Sequence, residues 1–205
     1  MPRLFLVRHA ETEHNQRKVL QGQASAPSVI SERGRAQARA CGLALAALNL
    51  PDPRVYASTY RRAGQTAEAI AVALGTGVSI LDGLQEMDVG DWAGRPYSAL
   101  DVGADQIRHG DGTFGFAGGE SEGQVRTRLR VALETALARG GTPILVSHGL
   151  ALQAALCELL GVPFDDAWAD RRYAHANTAV TELEGGAGGW RVVRMADAGH
   201  LGSDV

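Results

Sequence analysis

Leu4-Phe5-Leu6-Val7-Arg8-His9-Ala10-Glu11-Thr12 is the stretch that decides the fold. Four apolar residues in a row, with no polar alternation, suit a strand buried on both faces of a parallel sheet. The run ends abruptly on a cation and a histidine. In open α/β sheets ligands bind beyond the carboxyl ends of strands, so this strand end is a candidate site. The pattern recurs at Ile144-Leu145-Val146, followed at once by Ser147-His148-Gly149 and an apolar helical stretch to Leu160. Further strands are predicted over 54–58, 78–81, 179–183 and 190–195. Helices are predicted from the N-cap Ser31 until Pro51 and Pro53 stop the chain, over 60–74 with Gly75 ending it, and over 121–139. Strands alternating with helices give an α/β fold: a three-layer sandwich with a mostly parallel central sheet and helices on both faces. Residues 1–205 are expected to form a single domain. The Gly- and Asp-rich segment 88–119 is expected to be a loop or lid, with at most one short helix near 96–108.

Composition excludes several classes. Apolar residues make up 45% and charged residues 21% of 205 residues, as in ordinary globular proteins. The net charge is −3, which gives no basic footprint for nucleic acid. No apolar run reaches the roughly 20 residues of a membrane helix, and the N-terminal run is too short for a signal peptide. The expectation is a cytoplasmic protein without nucleic-acid or membrane partners. Cys41 and Cys157 each lie in an apolar helical stretch, where buried free thiols are expected.

Two histidines at strand ends, which could meet across the top of the sheet, could bind a metal or an anion. Arg8 would repel a cation, and no Cys or Asp stands at ligand spacing, so an anion such as phosphate suits better and no metal is expected. A histidine in a phosphate site can attack phosphorus or donate a hydrogen bond to it; the pair could fill both roles. Glu86, in the loop after the third strand, is a candidate general acid.

These motifs together resemble the histidine phosphatase superfamily, which contains cofactor-dependent phosphoglycerate mutase and small phosphatases. The resemblance rests on Leu6–Thr12 with Asn15, on Ser58-Thr59-Tyr60-Arg61-Arg62-Ala63-Gly64-Gln65-Thr66-Ala67, and on Glu86 with Gly90-Asp91-Trp92. It continues through Gly118-Gly119-Glu120-Ser121, Val146–Gly149, Asn177–Val180 and His200-Leu201. It implies a phosphoglycerate mutase-like fold with His9 as phosphorylated nucleophile and Glu86 as proton donor. It also implies a phosphate pocket of Arg8, Arg62 and His148, aided by Asn15 and Gly149. Gln21-Gly22 resembles a substrate-loop element. The implied substrate is a small phosphorylated metabolite, no cofactor is required, and both monomers and homodimers are allowed.

The chain departs from the family pattern at Thr59 and Tyr60, where Pro and Leu are usual, and carries both Arg61 and Arg62 where one arginine is usual. Arg62 is the pocket candidate because it directly precedes Ala63; Arg61 is the alternative. The short interval between Glu86 and His148 favours a phosphatase over a mutase, whose longer insertion shields its intermediate from water. A non-catalytic phospho-ligand binding module is the third reading. Glu120 is expected to favour the following helix from its first turn. Arg126, Arg128 and Arg130 are expected to be solvated surface, and His109, His175 and His200 surface or structural.

Overall fold

A computed structural model describes residues 1–100, 106–186 and 188–202. Its centre is a six-stranded sheet in the order β3-β2-β6-β1-β7-β8. The strands are β1 (Arg3–Arg8), β2 (Pro53–Ala57), β3 (Val78–Ile80), β6 (Thr142–Ser147), β7 (Val180–Gly186) and β8 (Gly189–Asp197). The first four in the spatial order are mutually parallel, whereas β7 and β8 run antiparallel at one edge. Strands β4 (Gln106–Arg108) and β5 (Phe114–Phe116) form a separate hairpin. The helices are α1 (Glu13–Gln16), α2 (Glu32–Ala46), α3 (Arg61–Leu74), α4 (Glu122–Ala138), α5 (Gly149–Leu160) and α6 (Phe164–Ala169).

The pleat of β1 divides the core in two. Leu4 and Leu6 join Tyr56 and Leu145 against Val125, Leu129 and Leu133 of α4 and Leu152 and Leu156 of α5. Phe5 and Val7 join Val55, Ile144 and Val146 against Cys41 and Leu45 of α2 and Ala67 and Ile70 of α3. Successive side chains of a strand point to opposite faces, so an unbroken apolar run is what a sheet covered on both sides requires. Ser31 caps α2 through Gly34 N–H, and Ser121 caps α4 in a reciprocal box with Gln124. Gly75 ends α3 with φ 67°. Both cysteines are buried free thiols, and burial pushes their pKa values up to about 12.

Two expectations need correction. The α2 helix stops at Ala46, before Leu48 and the prolines. Within 88–119 the described residues hold short 3₁₀ turns at Gly90–Trp92 and Tyr97–Ala99 and then the β4–β5 hairpin. The helix expected near 96–108 is therefore replaced by a strand at its end, and residues 101–105 lie outside the described residues. Among the described residues no helix is long and apolar enough to cross a membrane.

Candidate active site

Strands β1 and β6 are neighbours in register, with Arg8 opposite Ser147. His9 and His148 therefore leave the sheet side by side. His9 N–H donates to the Ser147 carbonyl at 2.9 Å, and the two imidazole centroids lie 5.1 Å apart. Both rings are buried.

The His9 ring is fixed by its neighbours. Nδ1 lies 2.8 Å from the Ala10 carbonyl. A carbonyl can only accept, so Nδ1 carries the proton and Nε2 the lone pair. Arg62 Nε–H donates to that Nε2 at 3.2 Å. Burial, then the charges of Arg62 and Arg8, hold the His9 pKa well below the ordinary 6.5. The ring is neutral, the form in which a histidine is a nucleophile.

His148 is the N-cap of α5. Its Nε2 lies 2.9 Å from Ser58 Oγ, which already accepts from Tyr60 N–H at 3.1 Å. When the hydroxyl donates its proton to Nε2, the imidazole proton lies on Nδ1, the tautomer that leaves a donor for a ligand. That Nδ1 is buried without a partner among the described residues. Burial and Arg62 also hold this ring's pKa well below 6.5.

Two guanidiniums flank the pair. Arg62, fully buried in the first turn of α3, donates to the Ser25 carbonyl at 3.0 Å and lies over the Tyr60 ring. Burial lowers its pKa to about 10, which leaves it a cation at neutral pH. Arg61 beside it is exposed. Arg8 donates to the His175 carbonyl at 2.6 Å, while its buried Nε–H has no partner among the described residues.

Glu86 approaches from the loop after β3. Its oxygens accept from Ala151 N–H at 3.0 Å and Leu150 N–H at 3.3 Å, in the first turn of α5. An added Cβ at Gly149 would lie 3.7 Å from Glu86 Oε2 and 3.9 Å from Arg8 Cζ. Arg8, His9, Gln21, Arg62, Glu86 and Gly149 share the wall of one cavity of about 570 Å³.

His148, fully buried beside His9, and Asn15 and Gly22 are not among the residues that line that cavity. Asn15 Oδ1 accepts from Thr12 N–H at 3.1 Å in the cap of α1 and from Asn177 Nδ2 at 3.3 Å, and Asn177 Nδ2 also reaches the His9 carbonyl at 2.9 Å. Gly22 packs so tightly on Ala93 that an added Cβ would come within 2.6 Å of the Ala93 Cβ. Among the described residues, no three His, Cys, Asp or Glu side chains form a cluster that could hold a metal ion.

The model of the histidine phosphatase superfamily, branch 1, matches residues 4–198. The chain belongs to that superfamily. It is an enzyme of the histidine phosphatase type, in the class of phosphoric monoester hydrolases. It is 32% identical to the probable phosphoglycerate mutase GpmB of Salmonella paratyphi C over 98% of this chain and 95% of the relative. Among solved structures it resembles a mycobacterial glucosyl-3-phosphoglycerate phosphatase, with 26% identity, a TM-score of 0.78, and coverage of 95% of this chain and 98% of that one. An Entamoeba histolytica phosphoserine phosphatase shares the fold at 23% identity and a TM-score of 0.81, over 98% and 100% of the two chains.

The histidine phosphatase site also contains residues whose placement the sequence did not reveal. Arg128 is not solvated surface. Its Nε and NH2 grip both Glu120 oxygens at 2.9 and 2.8 Å, and its remaining protons go to the carbonyls of Gly83, Gln85 and Glu86 at 2.9, 2.7 and 3.0 Å. All five guanidinium donors are thus used, which clamps the loop that carries Glu86. Glu120 is not in a first turn either: it precedes the N-cap Ser121 and accepts from Asp88 N–H at 2.9 Å. Arg130 is exposed, as expected, and pairs with Glu158, while Arg126 is half-buried between Glu122 and Glu158. His175 is structural and buried, bonded to Tyr173 and Thr181, and presents its carbonyl to Arg8. Gln153 lines the cavity; the available signal was an amide in the otherwise apolar run Gly149–Cys157.

Proposed function

We propose that the chain is a metal-independent phosphatase that hydrolyses a small phosphomonoester through phosphorylated His9. The observation that carries this reading is the neutral histidine pair beside the buried Arg62 and the half-buried Arg8, with Arg8 Nε–H and His148 Nδ1 unpartnered among the described residues. Converging donors of that kind fit the oxygens of a phosphoryl group. In the first step His9 Nε2 attacks phosphorus, the bond to the alcohol oxygen breaks, and protonated Glu86 gives its proton to that oxygen. Arg8, Arg62 and His148 Nδ1–H stabilise the charge on the equatorial oxygens. In the second step Glu86, now a carboxylate, takes a proton from water. The water oxygen bonds to phosphorus, the P–N bond breaks, and the electron pair returns to Nε2. Gln21 and Gly149 face the substrate, whereas Asn15 and Gly22 act by holding the loops around His9 and Gln21.

The likeness to the glucosyl-3-phosphoglycerate phosphatase supports hydrolysis. The GpmB relative favours phosphoryl transfer between hydroxyls as the second reading. Phosphate release from a panel of phosphomonoesters, with chelator present, separates the two. Wild type is expected to release phosphate and His9→Ala none, with the variant's thermal transition retained. Release by His9→Ala would overturn the nucleophile assignment. Interconversion of 3- and 2-phosphoglycerate without net phosphate release would establish the mutase instead.

A further inference from the structure

His9 lies one residue beyond the end of β1, where the sheet ladder no longer fixes the backbone. Its carbonyl, on a residue only 2% exposed, accepts from Asn177 Nδ2 at 2.9 Å. That carbonyl shares a rigid peptide plane with the Ala10 N–H, which donates to Thr66 Oγ1 at 2.9 Å. Thr66 is fully buried in α3, and its hydroxyl proton goes to the Arg62 carbonyl at 2.7 Å. The His9–Ala10 peptide is therefore held at both ends, by α3 and by the segment that enters β7. The second proton of the Asn177 amide reaches Asn15 Oδ1 at 3.3 Å and closes the loop from His9 to Asn15.

The segment around Asn177 is anchored to the same strand end. Thr178 N–H donates to the Arg8 carbonyl at 3.1 Å, and Arg8 N–H to the Ala179 carbonyl at 3.2 Å. Thr178 has φ 58°, in the left-handed region that β-branched residues rarely adopt. It is fully buried, and its hydroxyl lies 3.1 Å from His200 Nε2. Such a conformation persists only where its surroundings over-determine it. Here it accompanies donors on two consecutive carbonyls, the Thr178 N–H on Arg8 and the Asn177 amide on His9.

We infer that Asn177 is a positioning residue for the nucleophile, with Thr66 as its counterpart: together they fix the His9–Ala10 peptide and so the line from His9 Nε2 to phosphorus. The inference rests on the phosphohistidine reading of the site. Neither residue lines the cavity, so both act through His9. Without the Asn177 donor the buried His9 carbonyl loses its partner, a costly state that it relieves by turning. The Ala10 carbonyl that keeps the proton on Nδ1 turns with it.

Two variants on different elements test this: Asn177→Leu, which keeps the volume and removes the amide, and Thr66→Val. Each is expected to lower kcat by about 10²-fold, the cost of a misplacement of about 1 Å. The loss should be equal for alkyl phosphates and p-nitrophenyl phosphate, because attack is impaired and not protonation of the leaving group. Inorganic phosphate, held by the guanidiniums, should keep its inhibition constant within about threefold. Thr66→Ser retains the hydroxyl and should recover at least about tenfold of the Thr66→Val loss. Nitrogen NMR of the His9 ring should show the Nδ1-protonated tautomer in wild type and a tautomer mixture in Asn177→Leu. A kcat within about threefold of wild type in either folded variant would overturn the inference. So would phosphate inhibition that weakens in step with kcat, Thr66→Ser as slow as Thr66→Val, or unchanged ring spectra. The phosphatase reading fails separately: wild type then releases no phosphate, while the ring spectra still distinguish Asn177→Leu from it.

Discussion

Replacing Arg128 by methionine is expected to impair the proton donor without touching the phosphate pocket. The substitution keeps much of the apolar stem and removes five hydrogen bonds, two to Glu120 and three to the carbonyls of residues 83, 85 and 86. Breaking a fully buried ion pair costs about 3–5 kcal/mol. Here the side chains of Arg128 and Glu120 are 22% and 28% exposed, so water takes over part of the loss and about 2–4 kcal/mol is expected. A domain stable by about 5–15 kcal/mol survives that. The catalytic effect is selective. A general acid contributes about 10²–10⁴-fold, and a misplacement of about 1 Å can cost about 10²-fold. Alkyl phosphates, whose leaving alkoxide needs a proton, should lose about 10²-fold in kcat, while p-nitrophenyl phosphate, whose phenolate leaves unaided, should lose less than about threefold. Steady-state kinetics on the two esters, with a thermal melt to confirm folding, reads the ratio. Equal losses on both esters would refute the positioning role and leave Arg128 as general scaffolding. Unchanged kinetics would show that the clamp does not hold Glu86.

The pair Arg61 and Arg62 should separate cleanly: Arg62→Ala is expected to lower kcat/KM by about 10²–10³-fold, the cost of one preorganised charge. Arg61→Ala, at an exposed position, should stay within about twofold; the reverse ranking would reassign the pocket arginine. Gly149→Ala should move stability and activity in opposite directions. The helix gains about 0.5–1 kcal/mol, while a methyl 3.7 Å from Glu86 Oε2 narrows the space beside the phosphoryl group and lowers kcat/KM; rising activity would refute that placement. Stability should fall with acidification from about pH 6.5 to about 4. Burial lowers the His175 pKa to about 4, so between that value and the unfolded 6.5 the unfolded chain binds a proton that the native chain does not. Stability from this residue is fully present above pH 6.5 and declines by about 3 kcal/mol by pH 4. His9 and His148, also lowered by burial, act in the same direction. Urea midpoints at pH 7 and pH 4.5 measure it, and pH-independent midpoints would contradict the buried neutral histidines.

The sequence by itself determined the parallel core and the two strand ends. Leu4–Val7 and Ile144–Val146 are unbroken apolar runs, and only a sheet covered on both faces accommodates them. A histidine after each was therefore legible as a site. The caps Ser31 and Ser121 and the terminator Gly75 were equally legible, because the physics that sets helix ends is local. The hairpin at 106–116 was not: its strands are three residues each, too short to show a period. The roles of Arg128 and His175 were decided by tertiary structure alone. An arginine on an amphipathic helix carries the same local pattern whether it meets water or the loop that bears Glu86. Its five partners come from segments 8 to 45 residues away. Likewise, what makes His9 neutral and directs its lone pair is burial, Arg62 from α3 and the local Ala10 carbonyl. Residue type supplies the chemistry, but desolvation and hydrogen-bond partners exist only once distant segments pack together.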